Sequence, residues 1–356
     1  MPHSAHSSCA ATSTRQLVRA LLVAAFTLWL AASVHAAGPT PRFKTAPSYP
    51  VNGTQPRHIA AGDFNGDGLP DLATINYNSN NASILLNQGG GRYSAPNVFA
   101  VGTLPSFIVA RDFNNDARLD LAITNSGDDN VSIFLGNGNG TFNAATSFAT
   151  GAAPAAIAAG DFNGDMQVDL AIANGGATFV SILLGTGSGS FTAAANVPVI
   201  GAEGGGMMDV AAGDLNNDGK LDLVVPEYSS STRTVSILPG VGNGTFGAKK
   251  SVNNIGSPYW PADAAIADIN SDGNQDIVTT IFTNNGSNAN GSVLVIFGNG
   301  TLNTSGNTAT YGLNGGDPIK LVVADFNADN RPDVATADYG VSTTAVSVLL
   351  NTGTMA

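Results

Sequence analysis

The sequence predicts an all-β protein: a single closed β-propeller of six four-stranded blades covering residues 37–356, behind a leader at 1–36. Three observations carry this. The pattern D-x-N-x-D-x-x-x-D occurs six times, opening at Asp63, Asp112, Asp161, Asp214, Asp268 and Asp325. The intervals of 49, 49, 53, 54 and 57 residues give a period near 50, which marks propellers, solenoids and arrays. Each period also holds four short β-prone runs separated by Asx- and Gly-rich turns, and the two chain ends look like complementary parts of one such unit.

The elements follow in order within each unit. A run of small residues, such as Ile59-Ala60-Ala61 or Ile157-Ala158-Ala159, enters the acidic loop, as suits an inner strand crowded at a propeller axis. A strand leaves the loop, as at Leu121-Ala122-Ile123 and Leu223-Val224-Val225. After a variable loop comes a strongly β-prone third run, for example Val131-Ser132-Ile133-Phe134-Leu135 or Val293-Leu294-Val295-Ile296-Phe297. Turns such as Asn139-Gly140-Thr141 follow, and Asn-Gly is a strong hairpin signal, so these triplets are read as turns and not as glycan acceptors. A fourth strand, such as Phe142 to Thr150, ends the unit. Phe43 to Val51 resembles a fourth strand lacking its first three, and "AVSVLLNTG" at the C-terminus a third strand lacking its fourth. The N-terminal strand is therefore expected to complete the last blade and remove the open edges.

Residues 1–36 read as a secretory signal peptide: Arg15 and Arg19 precede an apolar Leu21 to Val34, and Val34-His35-Ala36 offers a cleavage site. The expected location is secreted or periplasmic, with no membrane insertion after cleavage. Cleavage removes Cys9, the only cysteine, and all histidines but His58, which excludes thiol chemistry, disulfides and histidine-cluster metal sites from the mature domain. It leaves 12 basic against 26 acidic side chains, 18 of the acids lying in the six motifs. With no basic run, nucleic-acid binding is not expected.

Acidic residues alternating along a short loop suit calcium, which takes six to eight oxygen ligands. The candidate ligands are Asp63, Asn65, Asp67, Leu69 and Asp71; Asp112, Asn114, Asp116, Arg118 and Asp120; Asp161, Asn163, Asp165, Gln167 and Asp169; Asp214, Asn216, Asp218, Lys220 and Asp222; Asp268, Asn270, Asp272, Asn274 and Asp276; and Asp325, Asn327, Asp329, Arg331 and Asp333. The seventh residue of each set offers its backbone carbonyl. No EF-hand is formed, because the twelfth position holds Thr or an aliphatic residue instead of Glu. About six calcium ions are expected.

With "DFNGDGLPDLA", its five relatives and the "GNGTF" turns, the chain from about residue 43 to 351 resembles the FG-GAP or VCBS repeat propellers, which include the head of integrin alpha subunits. The resemblance implies calcium ligation at the first, third, fifth and ninth positions. It also raises seven blades as the alternative count, since that family often has seven. The sixth motif position is Gly in three copies but Ala117, Met166 and Asn330 in the others, and a left-handed backbone there would weaken the second and third sites.

Repeated features describe scaffold, so function is sought among unrepeated ones. Long loops and large aromatics concentrate on the face opposite the acidic loops, where Glu203, Glu227, Tyr228, Arg233, Tyr259 and Trp260 form a candidate ligand patch around blades four and five. The expected function is a monomeric, non-catalytic binding or adhesion module for a glycan or an extracellular protein. The alternative is an exported polysaccharide-acting lyase or glycoside hydrolase, for which Glu203 and Glu227 are the only unrepeated acid pair considered. His58, on the first inner strand, is read as packed and not catalytic.

Overall fold

The computed structural model describes residues 48–199, 206–228, 233–252, 255, 259–283, 291–302, 307–313, 316–339 and 345–353. The leader, Phe43–Pro47 and Glu203 lie outside them. All described regular structure is strand, and it falls into six antiparallel sheets, one per acidic motif.

Blade two shows the plan. Its inner strand Pro105–Arg111 pairs with Asp120–Asn125, then Asn130–Phe134, then the outer Thr146–Ala149. Blades one and five repeat it with inner strands Pro56–Gly62 and Tyr259–Ala267. In blade three the outer position is shared by Phe191–Ala193 and Val197–Pro198, and in blade four the inner position by Gly206–Met207 and Ala211–Gly213. The third runs proposed from sequence are all third strands.

Burial explains why these runs are nearly continuous in apolar residues. A blade's second strand presents alternate side chains to the blades on either side, so both faces are covered and Asp120–Asn125 is buried throughout. One face of blade two, with Ile108, Leu121 and Ile123, packs on Ala73, Ile75 and Ile84 of blade one. Its other face, with Ala122, Val131 and Ile133, packs on Ile157, Leu170 and Ile172 of blade three. Equivalent clusters join blades three to four, four to five and five to six.

The sixth sheet has three described strands, Asp317–Ala324, Asp333–Tyr339 and Ala345–Leu349. Of the segment expected to complete it, the described residues Ser48–Val51 rest on blade one outside any strand. There the Ser83 hydroxyl donates to the Val51 carbonyl and the Tyr49 hydroxyl to the Gly91 carbonyl at 2.8 Å. Gly53 sits against Asn76 as Gly102 sits against Asn125 and Gly151 against Asn174, so Ser48–Val51 occupies the place that the fourth strand holds one repeat later.

Candidate functional site

Each acidic loop is wound by its own side chains. The first aspartate accepts the N–H of the sixth residue at 2.7–2.9 Å in all six copies, for example Gly68 to Asp63 and Met166 to Asp161. The fifth-position aspartate accepts the N–H of the seventh, as Leu69 to Asp67 at 2.8 Å, and the third-position asparagine donates to the fifth, as Asn65 to Asp67 at 3.0 Å. These bonds hold the sixth residue left-handed, with φ of 81° at Gly68, 64° at Ala117, 66° at Met166, 80° at Gly219, 86° at Gly273 and 63° at Asn330. The fourth residue is left-handed too, from Gly66 at 77° to Ala328 at 62°, which the sequence reading did not anticipate.

The ninth aspartate performs a task of its own. Asp120 is fully buried, and its two carboxylate oxygens accept the N–H of Phe113 at 2.8 Å and of Gly136 at 2.7 Å. Asp71, Asp169, Asp222, Asp276 and Asp333 bind the equivalent pairs, fastening the base of the loop to the end of the third strand. Burial pushes the carboxyls of Asp71, Asp120, Asp222 and Asp276 upward and that of Asp169 to about 6, against the opposing pull of the N–H donors.

The donor set is entirely oxygen, carboxylate and amide, and a bonded carboxylate oxygen keeps a second lone pair, so the chemistry fits a hard cation such as calcium. Among the described residues no three acidic or histidine side chains converge as a preformed cage. The fifth aspartate is exposed in five of the loops, the first is partly exposed in five, and the ninth is buried in all six.

On the opposite face, four residues meet at the end of the interface between blades four and five. Tyr228 ends the second strand of blade four and Arg233 begins the third, paired across the hairpin. Trp260, on the first strand of blade five, pairs with Phe282 on the second. The Tyr228 and Trp260 rings are 5.8 Å apart, Tyr228 stacks on Phe282 at 6.1 Å and 9°, and the Arg233 guanidinium lies 4.8 Å from the Trp260 ring centre. All are partly exposed. Arg233 makes no ion pair among the described residues, and its Nε is buried without a hydrogen-bond partner.

Two members of the sequence patch lie elsewhere. Tyr259 packs against the core between blades four and five. Glu227 is turned inward, 1 % exposed, bonded by Ser236 and ion-paired with Lys249 at 3.1 Å. It stands where blades one to three place Asn76, Asn125 and Asn174, each bonded to the matching serine, so it varies a repeated scaffold position. Phe282 was missed, because only the strand register makes it the cross-strand partner of Trp260. A second missed group, Asp209, Asp263 and Lys320, stands five residues before its motif in blades four to six, where His58 stands in blade one.

Residues 63–123, 112–172 and 161–225 match the FG-GAP-like repeat, and 208–245 the FG-GAP repeat. No curated protein matches the chain. Among solved structures, a lectin from Agrocybe aegerita that recognises non-reducing terminal N-acetylglucosamine is similar at 18% identity and a TM-score of 0.53, over 84% of this chain and 81% of that one. A candidate 6-phosphogluconolactonase from Bacteroides uniformis gives 12% and 0.56 over 82% and 83%. A protein from Lactobacillus plantarum gives 12% and 0.54 over 83% and 84%. At such identities these three speak for the fold alone. With the six wound acidic loops and the six sheets they close, the chain belongs to the FG-GAP repeat family and is a six-bladed β-propeller of that family.

Proposed function

We propose that this propeller is an exported, calcium-braced, non-catalytic module that binds a glycan on the face opposite its acidic loops. The observation that carries the reading is the Tyr228, Trp260, Phe282 and Arg233 cluster, where aromatic faces suited to the apolar side of a sugar ring lie beside a guanidinium that makes no ion pair among the described residues. The lectin with a similar fold supports a saccharide ligand by analogy of scaffold only. The enzyme alternative is weakened by Glu227, whose carboxylate is buried and ion-paired. Calcium is supported by the all-oxygen loops, and a site repeated on every blade suits bracing better than signalling.

A glycan array with the mature protein supplies a ligand for the test. Trp260→Ala and Tyr228→Ala are expected to weaken binding of the best hit by about 1–3 kcal/mol each while leaving melting nearly unchanged. Asp272→Ala, in a blade-five acidic loop, should lower calcium-dependent melting and spare binding. If folded Asp272→Ala loses binding and both aromatic variants keep it, the working face is the acidic one and the proposal fails.

A further inference from the structure

The position five residues before each acidic motif lies on the innermost segment of its blade and is occupied in turn by His58, Phe107, Ala156, Asp209, Asp263 and Lys320. Strand register is irregular beside it in blades one, two, three, five and six, a β-bulge that in blades one, two, three and six leaves the preceding residue out of the ladder. The side chains contact one another across blades. Lys320 Nζ lies 2.6 Å from Asp263 and 3.5 Å from Asp209, and it reaches across the axis to 5.4 Å from the Phe107 ring. Phe107 in turn stacks on His58 with ring centres 3.8 Å apart. Each acid also ties its blade to the next, Asp209 accepting the N–H of Ala264 at 3.0 Å and Asp263 that of Leu321 at 2.7 Å.

Blade six depends on these contacts. Five blade interfaces have a buried apolar cluster, but no described cluster joins blade six to blade one. On blade six Val322, Val346, Val348 and Leu350 are 52–71% exposed, and Ile59 on blade one is 56% exposed. Among the described residues the axial group ties blade six to blades four and five through Lys320 and carries it to the Phe107 ring of blade two, which in turn packs on His58 of blade one.

We propose that Asp209, Asp263 and Lys320 form an axial latch that holds blade six in the ring and releases it as the pH rises into the alkaline range. Two buried carboxyls, Asp209 and Asp263, converge on the single ammonium of Lys320, so with one bound proton between the acids one carboxylate faces one ammonium and the latch is neutral. Burial, opposed by Lys320 and reinforced by Asp263, pushes the Asp209 carboxyl up to about 8. Burial alone would lower Lys320, but the two carboxylates outweigh it and keep the ammonium charged. The other axial neighbours are the neutral Phe107 and Ala156 and His58, whose pKa burial and then Lys320 hold down to about 4, so it is neutral throughout this range.

The sign follows from linkage. The acid's pKa is raised in the closed ring relative to the open one, so closure is favoured most at low pH and is weakened as pH climbs, down to a floor above about 8. Above that, two buried carboxylates oppose each other with one ammonium between them.

Hydrogen exchange of the mature protein, corrected for the intrinsic rate and compared at about pH 6.5 and about pH 9, tests the latch. Protection across 317–350 is expected to fall on the order of tenfold at the higher pH while blades two and three keep theirs. Asp209→Asn, which cannot ionise, should hold blade six equally at both values, and Lys320→Met should leave it fast-exchanging at both. A uniform loss over all blades, no loss in the unsubstituted protein, or the same loss in Asp209→Asn would each overturn the latch. The unsubstituted protein decides by itself should a variant not fold.

Discussion

Replacing Asp120 by alanine separates the two jobs carried by one acidic loop. Asp120 has no solvent exposure, and its oxygens take the N–H of Phe113 at 2.8 Å and of Gly136 at 2.7 Å. Truncation strands two buried donors, each costing about 1–3 kcal/mol. Part is returned because burial already penalises the ionised carboxylate, as its raised pKa records. The net loss should be about 2–4 kcal/mol, and it needs no metal. Asp116, exposed on the same loop, bonds only the Arg118 N–H at 2.9 Å and the Asn114 amide at 3.1 Å, groups that water can serve. Asp116→Ala should cost under about 0.5 kcal/mol in excess chelator. In about 1 mM calcium it should forfeit the roughly 1.4 kcal/mol expected of a site with a dissociation constant near 0.1 mM. Urea unfolding of both variants in chelator and in calcium reads the two effects independently. An Asp120→Ala protein as stable as the parent in chelator would refute the clamp, and equal losses for both variants would refute the division of labour.

Other outcomes follow from the same coordinates. Met166 is 85% exposed at a φ of 66°, so Met166→Gly should stabilise the folded loop by about 1 kcal/mol less the added chain entropy of glycine, and tighten calcium at that site in a calorimetric titration. A Cβ at Gly185 would stand 2.2 Å from the Val168 carbonyl oxygen, and thermal melting of Gly185→Ala should show a loss of at least about 2 kcal/mol. His58 is held neutral down to about 4, below the ordinary histidine value, so the unfolded chain takes up the proton first as acid is added. Stability should fall by about 2 kcal/mol between pH 6.5 and 4, allowing for partial solvent access, and His58→Leu should flatten that limb of a melting-versus-pH curve.

The blade count, the place of each acidic loop and the course of the third strands were legible in the sequence because they rest on local chemistry repeated six times. Asx residues wind a loop by bonding backbone within five positions, and an apolar run of strand length between turns has few other uses. The left-handed sixth position was legible for the same reason, through Gly68, Gly219 and Gly273. The Trp260 and Tyr228 pair was half legible: the alternation of loops along a four-stranded blade placed both on one face, but Phe282, stacked on Tyr228, emerged only once strand register was known. What tertiary structure alone decided was where charge goes when side chains distant in sequence converge. Glu227 looked like a ligand and is buried, bonded by Ser236 and ion-paired with Lys249, 22 residues away in the same blade. Asp209, Asp263 and Lys320 carry no motif in the sequence, and they meet because inner segments spaced more than fifty residues apart are brought together. Sequence fixes what each repeat can form by itself; the energy of a buried charge depends on neighbours that only ring closure supplies.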